Sequence, residues 1–87
     1  MYLHLGDECI IPFGDIVGIF DLDNVTVTKN GRDFLRAAER AGKVRSISEN
    51  LPRSFVVTVE DGREIVYISP ISAATLRARM AKGIGVE

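Results

Sequence analysis

Phe55-Val56-Val57-Thr58-Val59, then Asp61-Gly62, then Glu64-Ile65-Val66-Tyr67-Ile68: this stretch decides the fold. β-Branched and aromatic residues fill both runs, and the Asp-Gly pair between them suits a tight turn, so the stretch predicts a β-hairpin. On its N-terminal side, Ser48-Glu49-Asn50-Leu51-Pro52 reads as a loop and Val44 to Ile47 as a short strand. On its C-terminal side, Ser69-Pro70 offers an N-cap followed by proline at the first helical position, and Ser72 is an equally good cap. A helix from there runs to about Lys82, before Gly83.

Further upstream, Thr28 is a reasonable N-cap for a helix running to about Ala41, with Gly42 placed where a left-handed residue commonly ends a helix. Gly31 weakens its first turn. At 100° per residue from Arg32, the side chains Phe34, Leu35, Ala38 and Ala41 fall between about 180° and 300°, a face suited to packing on a sheet. Lys29, Arg32, Arg36 and Arg40 fall between about 0° and 80°, giving a basic outer stripe. Ile16 to Leu22 is nearly continuous in apolarity, which predicts a central strand covered on both faces. Tyr2 to Leu5 and Cys9 to Ile11, separated by Gly6-Asp7-Glu8 and closed by Pro12, suggest an opening hairpin. The expected class is α+β, a small mostly antiparallel sheet with two helices in the order ββ-β-α-ββ-α. No repeat or linker divides the 87 residues, so residues 1–82 read as a single domain and residues 83–87 as a flexible C-terminal tail.

A chain of this size buries only about 60 to 65% of its unfolded surface, which makes self-association a plausible source of extra stability. The longest apolar stretches, Cys9 to Phe13 and Ile16 to Phe20, fall far short of the ~20 residues of a spanning helix. The segment Met1 to Gly6 has no basic leader or cleavage site, so the expected location is the cytoplasm. The single Cys9 cannot form an internal disulfide and reads as a structural thiol in an apolar run.

The net charge of −1 conceals a strong segregation. Residues 1–27 carry Asp7, Glu8, Asp15, Asp21 and Asp23 and no Lys or Arg, a balance of −5. Residues 28–53 carry Lys29, Arg32, Arg36, Arg40, Lys43, Arg45 and Arg53 against Asp33, Glu39 and Glu49, a balance of +4. The remainder is neutral. A basic helix face is often just a solvated surface. Here, though, positions 32, 36 and 40 place like charges at i,i+4, which an anionic neighbour would relieve. Phosphates of a nucleic acid and the acidic third of another subunit are both candidates.

Signals of chemistry are weak. His4 has no evident Cys or Ser partner for a nucleophilic site and reads as a strand histidine with a satisfied hydrogen bond. If the third strand continues through Asp21 and Asp23, their carboxylates share a face about 6 to 7 Å apart. The surrounding pattern is nevertheless no calcium loop, because Thr26 and Arg32 stand where glycine and glutamate are needed. Gly83-Ile84-Gly85-Val86 lacks the strand and helix that a dinucleotide fingerprint requires. The expectation is a non-enzymatic chain with no metal, no cofactor and no evident small-molecule substrate. Phe55 and Tyr67 read as core rather than as a base-stacking platform, and a hairpin separates the long helices, which disfavours a helix-turn-helix.

Tyr2-Leu3-His4-Leu5-Gly6, Asp15-Ile16-Val17-Gly18-Ile19-Phe20-Asp21-Leu22-Asp23 and Pro52-Arg53-Ser54-Phe55-Val56-Val57-Thr58 together resemble the RemA/RemB family of extracellular matrix regulators, formerly a domain of unknown function, on its RemB side. The resemblance runs from about Met1 to Met80. It implies a bacterial cytoplasmic regulator linked to biofilm-matrix genes. It also implies, from the RemA relatives, a DNA-binding oligomer that forms rings and contacts DNA through arginines just before the strand opening the late hairpin. In this sequence only Arg53 stands at that position, after Leu51 and Pro52 and before Ser54, so the usual arginine cluster is missing. The expected function is a homo-oligomeric regulator that contacts the phosphate backbone of double-stranded DNA through Arg53, Arg32, Arg36, Arg40 and Lys43. The alternative is a protein-interaction or self-assembling scaffold module without direct DNA binding.

Overall fold

The late hairpin forms where its residues predict it. Strands β5 (Ser54–Glu60) and β6 (Arg63–Ser69) pair antiparallel with Glu60 opposite Arg63. This leaves a two-residue turn whose members Asp61 and Gly62 both have positive φ, 52° and 79°, the backbone shape that matches strand twist. The computed structural model describes residues 1–86, with side chains over residues 1–82. The tail expected at residues 83–87 lies outside the residues described in full.

The class and order of elements agree with the α+β expectation, with three differences. The opening hairpin, β1 (Tyr2–Gly6) and β2 (Cys9–Pro12), forms a separate two-stranded sheet instead of joining the main one. Strand β3 (Ile16–Asp21) is an edge strand, not a central one: the four-stranded order is β3-β5-β6-β4. Its register shifts between Ile16 and Gly18, and Val17, in the shifted stretch, is 66% exposed. β4 (Val44–Ser46) occupies the other edge and runs parallel to β6.

The third difference is an added helix, α1 (Leu22–Thr26), where the residues predict that the strand continues. Asp21 ends β3 and caps α1, its Oδ1 accepting from the Asp23 and Asn24 backbone N–H groups at 2.9 and 3.3 Å. Asp21 and Asp23 therefore do not share a strand face. Helix α2 (Lys29–Arg40) starts at Thr28, whose Oγ1 accepts from the Gly31 N–H, and ends before Gly42 at φ 71°. Helix α3 (Ala73–Val86) is capped by Ser72, the second of the two expected caps, whose Oγ accepts from the Thr75 N–H at 3.2 Å. Ser69 serves elsewhere: its Oγ donates to the Leu5 carbonyl, tying the late hairpin to the first strand.

Alternation along β5 and β6 feeds two cores. On one face Val56 and Tyr67 join Ile19 against Leu3, Leu5 and Ile11 of the first hairpin and Ala73 and Leu76 of α3. On the other, Phe55, Val57 and Val66 meet Ala38 and Leu35 of α2 and Leu22 and Val25 of α1. The result is a sheet covered on both sides. Phe34 stacks on Phe55 as its helical position predicts, while Ala41, expected on the same face, is exposed. The two sheet edges each carry an arginine. Arg77 of α3 donates to the Ile19 carbonyl of β3 at 2.6 Å, and Arg45 donates to the Gly42 and Val44 carbonyls beside and within β4 at 2.8 and 3.2 Å. Guanidinium groups on edge carbonyls discourage pairing with a foreign strand.

Candidate nucleic-acid interface

Arg53 is held by its backbone and open at its side chain. Its N–H donates to the Ser69 carbonyl at 2.9 Å, and its own carbonyl accepts from the Leu22 N–H at 3.2 Å. These bonds fix the residue between the end of β6 and the start of α1, while the side chain is exposed. Buried Ser54 follows it, with its Oγ donating to the Ile71 carbonyl at 2.7 Å. The position is rigid at its root, which suits a residue that must present a charge at a fixed place.

The helix stripe is exposed as its period predicts, but its members are not equivalent. Arg32 Nη1 donates to the Thr26 carbonyl at 2.9 Å, satisfying a carbonyl at the end of α1. Arg36 lies 3.8 Å from Asp33, so an acid at the stripe's margin already offsets part of the i,i+4 repulsion. Lys43, half-buried, reaches Glu64 at 3.9 Å. Arg40 and Arg53 form no ion pair among the described residues. Such exposed pairs are weak, about 0 to 1 kcal/mol, and a phosphate can displace them.

A cleft of about 310 Å³ lies among α1, α2, β4, β6 and the loop before β5. Leu22, Leu35, Val44, Pro52 and Ile68 make its apolar wall, and Glu39 and Ser46 its polar part. Arg53 follows Pro52 directly in sequence, and on α2 Arg32 stands three residues before Leu35 and Arg36 three before Glu39. No local pattern in the chain signals this cleft, because its walls come from four elements and a loop.

Cys9 and Tyr67 lie beside the first core. Cys9 packs half-buried against it, and its thiol pKa is pushed up by burial and by the negative charge of Glu60, which disfavours the reactive thiolate. The Tyr67 hydroxyl donates to Glu60 Oε2 at 2.6 Å, and Thr58 Oγ1 lies 3.0 Å from the same oxygen. Burial first, then that hydrogen bond, holds the Tyr67 phenol well above the ordinary tyrosine range. The His4 ring bonds the Asp7 carbonyl, which can only accept, so Nε2 carries the proton and the histidine has the satisfied structural role expected of it. No group of three or more metal-ligating side chains occurs among the described residues. No helix among them is long and apolar enough to cross a membrane.

No protein-family model matches the chain. Extracellular matrix regulatory protein B of Bacillus subtilis strain 168 is 38% identical over 79 residues, which is 91% of this chain and 89% of that protein. The chain belongs to the extracellular matrix regulatory protein B family. A match of 79 of the 87 residues necessarily includes the basic helix and the late hairpin together, so the comparison concerns most of this RemB-family chain and not one motif. Within the RemB frame, Arg53 stands on the loop between β4 and β5, anchored from both sides by its backbone.

Proposed function

We propose that this chain is a non-enzymatic regulator of extracellular matrix genes that acts as a homo-oligomer on double-stranded DNA, reading the phosphate backbone more than the bases. The observation that carries the reading is Arg53: pinned by two backbone hydrogen bonds, exposed, and without an ion-pair partner among the described residues. Arg36, Arg40 and Lys43 add exposed or half-exposed positive charge, and Arg32 contributes its remaining N–H groups. Contacts of this kind set affinity and position along the duplex and carry little sequence information. An oligomer multiplies them, because each further contact within an assembly is made at high effective concentration.

Arg53→Ala is expected to weaken binding to unrelated duplexes by a similar factor, about tenfold, the effect of removing one charge-assisted hydrogen bond to a phosphate. Fluorescence anisotropy on three duplexes of different sequence measures it. Unchanged affinity on all three would remove Arg53 from the interface.

A second reading, a scaffold or protein-interaction module without DNA, is favoured by one observation. None of Asp7, Glu8, Asp15, Asp21 and Asp23 makes an ion pair among the described residues, and of the five only Asp21 has its carboxylate in use there, as the cap of α1. Sedimentation at low and high salt distinguishes an assembly held by those carboxylates, which dissociates in salt, from a species monomeric in both.

A further inference from the structure

We infer that the cleft among α1, α2, β4, β6 and the loop before β5 binds a small linear aliphatic amine, with its carbon chain on the apolar wall and its ammonium on Glu39. Such a ligand site is independent of DNA binding. Wall chemistry points to the carbon chain. Leu22, Leu35, Val44, Pro52 and Ile68 line the cleft, so an aliphatic chain seated there exchanges water for apolar contact. The volume of about 310 Å³ lies at the bottom of the range of ~300–1,000 Å³ that encloses whole small ligands, so a chain of about four to six carbons suits it better than a cofactor.

Charge points to the head group. Glu39 is the one charged residue among those that line the cleft, and Ser46, the other polar one, brings no competing cation. Glu39 makes no ion pair among the described residues, although cations stand near it in sequence. Arg36 lies 3.8 Å from Asp33, Lys43 reaches Glu64 at 3.9 Å, and Arg40 pairs with no acid there. A carboxylate in an otherwise apolar wall selects a ligand that is cationic at one end and apolar along the rest, the chemistry of a lysine stem. An alkylammonium supplies both parts; an alcohol lacks the charge, a fatty carboxylate has the wrong sign, and a bare ammonium has no chain. Because Glu39 is exposed and lies in a basic segment, its charge adds a modest factor to the affinity and the apolar wall contributes the larger share.

Titration of methyl-labelled full-length protein with pentylammonium chloride, followed by NMR near neutral pH at constant ionic strength, tests this site against pentanol, pentanoate and methylammonium. The expected result is saturable shifts of the Leu22, Leu35, Val44 and Ile68 methyl groups with pentylammonium. Pentanol should bind about fivefold more weakly, the effect of one exposed ion pair, and pentanoate more weakly than pentanol. Methylammonium, which lacks the chain, should bind roughly tenfold more weakly or worse. Glu39→Gln keeps the side-chain shape and removes the charge. It should bring pentylammonium down to the affinity of pentanol while leaving pentanol binding unchanged, which shows that the variant is folded and its cleft intact. Equal binding of pentanol and pentylammonium to the unmodified protein, or pentylammonium binding that Glu39→Gln leaves unaltered, removes Glu39 from the site and overturns the inference. Methylammonium shifting the same methyl groups with equal affinity reduces the contact to surface ion pairing and overturns it too. So does the absence of saturable shifts, or methyl shifts that depend on protein concentration without ligand, which would assign the cleft to a second copy.

Discussion

Replacing Phe55 with alanine lowers the stability of the fold by about 3–5 kcal/mol, the range for removing a buried aromatic from a core. Phe55 is 2% exposed at the start of β5 and lies between two other rings. The Phe20 centroid is 5.1 Å away with 22° between planes, and the Phe34 centroid is 6.1 Å away at 28°. The stack thus joins an edge strand, the central hairpin and the basic helix, and each aromatic pair adds about 0.5–1.5 kcal/mol beyond area burial. Phe20 and Phe34 are themselves 38% and 37% exposed, so neither alone closes the cavity that the missing ring would leave. Urea unfolding followed by circular dichroism measures the loss. Phe20→Ala should cost clearly less, because part of its ring already faces water; equal losses would place the energetic centre of this core elsewhere.

Gly31→Ala is expected to destabilise by about 2–4 kcal/mol, combining overpacking with damage to a helix cap. In an ordinary helix the same change stabilises by about 0.5–1 kcal/mol, so the sign itself is the test. A Cβ at Gly31 would stand 2.1 Å from the Val25 carbonyl oxygen, 2.4 Å from Val25 Cγ1 and 2.9 Å from Thr28 Oγ1. The first of these is backbone and cannot swing aside. It also accepts from the Thr28 N–H at 3.2 Å and Thr28 Oγ1 at 2.9 Å, and that hydroxyl in turn caps α2. Opening this corner moves α1, whose Leu22 and Val25 pack against the second core and whose Leu22 walls the cleft. Gly14→Ala is the control, since no atom lies within 4 Å of its Cβ position. Thermal unfolding should show a large fall in Tm for Gly31→Ala and almost none for Gly14→Ala. Comparable Tm values would mean that α1 and α2 part easily.

Both results bear on what can be read in the sequence. The hairpin at 54–69 is legible because its signals are local: two β-rich runs and an Asp-Gly pair that accepts positive φ at both positions. Helix α2 is legible for the same reason, from Thr28 to Gly42. Gly31 reads as a weakness of the first turn, yet it is required there by the close approach of α1, a contact invisible to propensity. Helix α1 itself is hidden. Leu22-Asp23-Asn24-Val25-Thr26 has two β-branched residues and continues an apolar run, and it turns helical because Asp21 caps it and two of its side chains find the second core. Strand β3 reads as central because its apolarity is nearly unbroken, although Val17 stands at an irregular register and Phe20 lies over Gly18, where a Cβ would be 2.6 Å from the ring.

At the candidate site, helical period alone places Arg32, Arg36 and Arg40 on the outside. It cannot show that Arg32 also serves the end of α1 or that Asp33 holds Arg36. Arg53 carries no periodic signal at all. Its expected importance comes from resemblance to a family, and the two backbone hydrogen bonds that fix it join it to Ser69 and Leu22, far away in sequence.

The salt dependence of binding to duplex DNA tests the phosphate-backbone account most directly. With two to four unpaired or weakly paired cations engaged by each protomer, the logarithm of the binding constant should fall against the logarithm of salt concentration with a slope of about −2 to −4 per bound protomer. The same slope should hold on unrelated duplexes. A flat dependence, or no binding even at low salt, would contradict it.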